Sequence, residues 1–162
     1  MADRIRCRIT ERNDNNTPVF FDEDAMDRVT RFLEEQFGGK PGKEMIAHEL
    51  ESEYVHADIM IMTSEDNSRT FATFGMGARE LNSPLSQFKR IELIMMAGPR
   101  KENESDERCY LICTELQNLC KYPFRTNTWL GPGHTINTSK SFKESFGYDY
   151  LLFIPYLCSL EV

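Results

Sequence analysis

The 162-residue sequence predicts an α+β fold, a mostly antiparallel, mixed central sheet with helices packed against it. Two observations predict it. Residues 54–99 hold three apolar runs in succession, YVHADIMIMT, RTFATFGMGA and FKRIELIMMAGP, separated by turn-forming residues. On either side of them the apolar period changes from two to between three and four.

In chain order, residues 1–18 are polar and Asn-rich. Ile5, Cys7 and Ile9 alternate there with Arg4, Arg6 and Arg8, which suits a flexible leader or an edge strand. Over 22–37, Ala25, Met26, Val29, Phe32, Leu33 and Phe37 form one apolar helical stripe behind Asp22, Glu23 and Asp24, carboxylates that favour a helix N-terminus. Gly38-Gly39 and Pro41-Gly42 end it. Residues 43–53 are charged and read as a loop or a short helical turn. In the first strand Val55, Ala57, Ile59 and Ile61 face one way and His56, Asp58, Met60 and Met62 the other. Both faces are apolar beyond Asp58, so this strand is expected to be central and covered on both sides. Residues 64–68 make a hairpin loop. The second strand, 70–77, carries Gly75 and Gly77, a sign of a bulge or of close approach by another backbone or a ligand. The third, 88–97, stops at Gly98-Pro99. A second helix is expected from Ser105 or Asp106 to Tyr122, ended by Pro123. Residues 126–141 read as a connection too rich in Gly, Pro, Asn and Thr for a helix. The stretch 140–146 is ambiguous, and 148–156 is a last apolar strand. No repeat or linker interrupts the chain, and its length suits one domain over 1–162.

The net charge of −7 disfavours nucleic acid and anionic membranes, whose phosphates need a positive field, and suits a basic protein partner. No apolar run approaches the length of a membrane span, and the N-terminus has no apolar signal core. Five cysteines, Cys7, Cys109, Cys113, Cys120 and Cys158, form no short-spaced framework. Together these features predict a cytoplasmic protein with reduced thiols. Cys109, Cys113 and Cys120 share a helical face with Leu116, and packing is their expected role.

No nucleophile motif, phosphate loop or metal motif occurs, so no catalytic, cofactor-binding or metal-ligating residue is assigned. His56 and Asp58 form an H-x-D pair on one strand face. Such a pair suits two metal ligands, a general base with its orienting carboxylate, or hydrogen bonds within the fold. Glu92 and His134 are the further residues that a metal or acid–base site would need. Gly131-Pro132-Gly133 reads as a tight turn presenting His134, because Pro132 lacks a donor that a phosphate nest would use.

Four segments in order, His56-Ala57-Asp58-Ile59, Thr73-Phe74-Gly75-Met76, Glu92-Leu93-Ile94-Met95 and Gly133-His134-Thr135-Ile136, resemble the Suppressor of fused domain family over about residues 21–155. The resemblance implies an α/β sandwich and binding rather than catalysis. In animals, Suppressor of fused restrains Gli-type transcription factors, holding a peptide partly as an added strand between two domains. This chain is similar to the first of those domains, so the clamp does not transfer. Small stand-alone members resemble bacterial immunity proteins that neutralise a toxin by direct binding. Family-motif or binding positions carried over are His56, Asp58, Gly75, Met76, Glu92, Gly133 and His134. The family pattern continues past Pro155 into a further strand, and its loss would leave an edge able to pair with a second copy or a partner strand. The competing expectations are an enzyme using His56, Asp58, Glu92 and His134, and a structural domain with no dedicated site.

Overall fold

The computed structural model describes residues 17–37, 46–99 and 105–155. The alternating segment at Ile5, Cys7 and Ile9 and the glycine stop at Gly38-Gly39 lie outside the described residues.

The fold is α+β. The order is α1 (Glu23–Phe37), β1 (Ile46–Ala47), β2 (Asp58–Thr63), β3 (Arg69–Phe74), β4 (Ile94–Ala97), α2 (Glu107–Thr126), β5 (Thr135–Asn137), α3 (Lys140–Phe146) and β6 (Tyr150–Leu152). Strands β1-β2-β3-β4 form an antiparallel sheet in sequence order, and β5 and β6 form a separate antiparallel hairpin. The one parallel pairing among the described residues is the isolated bridge between Val19 and Val55.

The period-two pattern sets the layers. Ile59 lies opposite Thr73 and Ile61 opposite Phe71, and this face meets α2 through Ile112, Cys113, Leu116, Leu119 and Cys120. Met60 lies opposite Ala72 on the other face, which Leu33, Val29, Phe32 and Phe37 of α1 cover. The central strand is thus buried on both sides, as its apolar alternation requires. Helix α1 starts where expected, because the Asp22 carboxylate accepts the Ala25 N–H at 2.7 Å. Asp66 organises the β2–β3 hairpin turn by accepting from the Ser64 hydroxyl and the Ser68 N–H.

Several sequence expectations change: the second strand ends at Phe74, with Gly75 turning the chain into a short helical turn over Met76–Ala78, and the last strand spans only Tyr150–Leu152. Residues 46–47 form a short edge strand, and 48–53 run on without a helical turn. The third strand begins only at Ile94, because Arg90 and Glu92 reach back to the turn after β3 instead of joining the ladder. Helix α2 passes through Pro123 and ends three residues later, where Asn127 (φ 51°) takes the left-handed C-terminal position and donates to the Pro123 carbonyl. A proline in the last turn forfeits a single backbone hydrogen bond, so it need not end the helix. Within 126–141, Thr135–Asn137 pairs with β6. The ambiguous stretch is α3, capped by the Ser139 hydroxyl at its start and by Gly147 (φ 77°) at its end.

Candidate binding site

Two polar clusters are set into the sheet, and both grow from residues that the alternation marks. The first surrounds Asp58 at the start of β2. Its Oδ1 accepts the Glu49 N–H at 2.9 Å and lies 3.2 Å from His56 Nε2, while Oδ2 lies 3.1 Å from His48 Nδ1. His56 Nδ1 lies 2.6 Å from the Ser52 hydroxyl, and its ring stacks on Phe20. Glu49 folds beneath. Its Oε2 accepts the Ala57 N–H at 3.0 Å and its Oε1 lies 2.7 Å from Lys121 Nζ of α2, with both side chains largely buried. Lys121 also donates to the Glu51 carbonyl. The further hydrogen bonds of Glu49 Oε2 and Lys121 offset part of the cost of removing this ion pair from water.

The electrostatics follow. The hydrogen bond to Asp58 raises the His56 pKa; burial opposes this, and the negative charges of Asp58 and Glu49 add to it. Burial pushes Asp58 up, but its hydrogen bonds from His56, the Glu49 N–H and His48 carry it below the usual carboxylate range. With His56 neutral, a proton on Nε2 facing Asp58 leaves Nδ1 to accept from Ser52.

The second cluster is the turn after β3. Glu92 Oε1 accepts the N–H groups of Gly75 and Gly77 at 3.1 and 2.9 Å, and Oε2 accepts the Thr73 hydroxyl at 2.6 Å and the Met76 N–H at 3.3 Å. Thr73 Oγ1 in turn accepts the Leu93 N–H. Arg90 holds the turn from outside, donating to the Gly77 and Ala78 carbonyls. Burial pushes the Glu92 carboxyl up to about 7 against the pull of its four donors. Gly75 has φ 123°, and a Cβ there would lie 2.0 Å from the His56 carbonyl oxygen. The close approach that the glycines signal is made by the chain's own backbone, which brings the two clusters side by side. Met76 is buried in the core.

The third motif lies apart. Gly131 to His134 is a tight turn closed by the His134 N–H on the Gly131 carbonyl, with Gly133 at φ 85°. The His134 ring packs edge-on against Trp129 at 4.4 Å. Among the described residues, no hydrogen bond or ion pair joins its side chain to His56, Asp58 or Glu92, and no group of three or more His, Cys, Asp or Glu is placed to hold a metal ion. Cys113 and Cys120 are buried and Cys109 half-buried. Burial lifts the Cys120 thiol well above its usual pKa.

Sequence reasoning missed Ser52, Glu49 and Lys121, which complete the first cluster, and Glu115, whose buried carboxylate accepts the Ser139 N–H. Lys121 is 72 positions from Glu49, which is why no local spacing pointed to the pair.

A sheet covered on both faces, with Asp58, Glu49 and Glu92 tied to its own main chain, makes an α+β scaffold. The Suppressor of fused protein family model matches residues 53–159, and the chain belongs to that family, which points to a protein-interaction module. No curated protein and no solved structure matches it. Among the described residues no helix is long and apolar enough to cross a membrane.

Proposed function

We propose that this chain is a single cytoplasmic binding domain that acts as an immunity-type protein, neutralising a basic toxin domain by direct contact. The observation that carries the reading is the state of its half-buried acids. Asp58 and Glu92 direct their oxygens at main-chain N–H groups and at neighbours of the same fold, an arrangement that stabilises a scaffold and leaves recognition to its surface. The net charge of −7 suits a basic partner and opposes nucleic acid. His56, Asp58, Gly75, Met76 and Glu92 would then shape the binding surface from beneath, with Gly133 and His134 presenting the neighbouring turn. Capture from the native host should recover one basic protein, and co-expression should relieve its toxicity. Recovery of no protein partner, together with turnover of a small molecule, would sink the proposal.

One observation favours a second reading, acid–base chemistry. Ser52, His56 and Asp58 form a hydrogen-bonded line in which the ring nitrogen facing Ser52 can take its proton while Asp58 steadies the resulting cation. A fluorophosphonate probe separates the two. Labelling of Ser52 that disappears in His56→Asn supports chemistry, and an unlabelled Ser52 leaves the line as a structural brace.

A further inference from the structure

The β5–β6 hairpin has one face turned in and one turned out. Ile136, Leu151 and Phe153 pack against the core. On the opposite face stand Tyr150 (65% exposed) and Leu152 (62%) of β6, and the residues two positions before and after them, Tyr148 (62%) and Ile154 (76%), are exposed as well. The register sets Thr135 beside Leu152 and Asn137 beside Tyr150, so small polar side chains border the stripe. Single exposed apolar residues are ordinary, but a contiguous stripe of four, half of it tyrosine, has the composition of an interface centre.

We propose that this face is the contact between two copies of the chain, packed face to face about a two-fold axis. The inference is independent of the immunity reading and of the Ser52 line. Two features of the surface favour a second copy over a basic partner. The charge beside the stripe is balanced: Asp149, between Tyr148 and Tyr150 in the chain, pairs with Lys143. A chain of net charge −7 therefore meets no concentrated like charge when it approaches its copy here, whereas a basic partner would gain nothing from this rim. The area also fits. Two tyrosines and two aliphatic side chains at these exposures, with Thr135 and Asn137, present on the order of 500–600 Å². Isologous contact that covers all of it buries about 1,000–1,200 Å² in all, the size of a weak, reversible dimer interface.

Light scattering after size exclusion tests this on the full chain. The expected mass is twice the 18.9 kDa of one chain. Tyr150→Ser combined with Leu152→Ser should weaken the dimer by at least ~100-fold and leave far-ultraviolet dichroism unchanged. Should that variant fail to fold, tyrosine nitration of the wild type serves instead: modification of Tyr148 and Tyr150 should fall as protein concentration rises. A wild type that stays monomeric at high micromolar concentration overturns the proposal, whether its tyrosines react freely, as for a face kept for another protein, or are protected at every concentration, as for a face covered by residues 156–162. A Tyr150/Leu152 variant that remains dimeric overturns it too.

Discussion

The four-stranded sheet and the β5–β6 hairpin treat their exceptional residues in opposite ways. In the sheet and the turn beside it, half-buried acids are each answered: Glu92 by three main-chain N–H groups and a hydroxyl, Asp58 by a main-chain N–H and two imidazoles. In the hairpin, apolar side chains stand outside, and Tyr148, Tyr150, Leu152 and Ile154 have no such cover among the described residues. A buried carboxylate needs partners within its own chain, because unpaired burial is costly. An exposed apolar stripe costs the folded monomer little and is rewarded only when something covers it. The first region therefore holds the fold and the second is where a partner would be felt.

Substitutions can break this contrast, and the largest effect belongs to Gly75→Ala. The new Cβ would meet the His56 carbonyl at 2.0 Å, in a backbone conformation that favours glycine. A loss of about 4 kcal/mol or outright failure to fold is expected in urea melts. Lys121→Ala comes next, since it strands the buried Glu49 carboxylate, and about 3 kcal/mol should be lost. Glu92→Gln keeps the shape but sets an amide N–H₂ against main-chain donors, for about 2 kcal/mol at neutral pH.

Glu92 also predicts a pH dependence with a definite sign. Its native pKa of about 7 lies above the ordinary 4.5, so between those values the native state holds more proton than the unfolded chain. Its contribution is complete below 4.5 and is lost as pH rises to about 7. Asp58 acts oppositely: its native pKa is lowered, so its contribution is present at neutral pH and is lost as acid protonates it below the ordinary 3.8. Melts of Glu92→Gln from pH 5 to 7.5 should lack the wild-type decline. The smallest effect on stability is expected from Tyr150→Ser with Leu152→Ser, under about 0.5 kcal/mol per site in the monomer.

Much of the sheet was legible because alternation over Val55 to Met62 and the stripe from Ala25 to Phe37 are periodic signals that burial directly enforces. The rest was obscured where side chains act across the chain. Arg90 and Glu92 alternate like strand residues, yet they serve the turn at Gly75 to Ala78. Thr135–Asn137 is too short to show a period. Of the candidate site, the H-x-D pair and the glycine approach were visible as residues worth following. Ser52, Glu49 and Lys121 were not, because a loop and a distant helix supply them.

The turn at Gly75, Met76 and Gly77 has one more consequence. Three successive N–H groups converging on a carboxylate make a small anion receptor whose guest is tethered to the same chain. Cutting the tether with Glu92→Gly should leave the receptor vacant, and added formate, but not methylammonium chloride at equal ionic strength, should restore part of the lost melting temperature by occupying it.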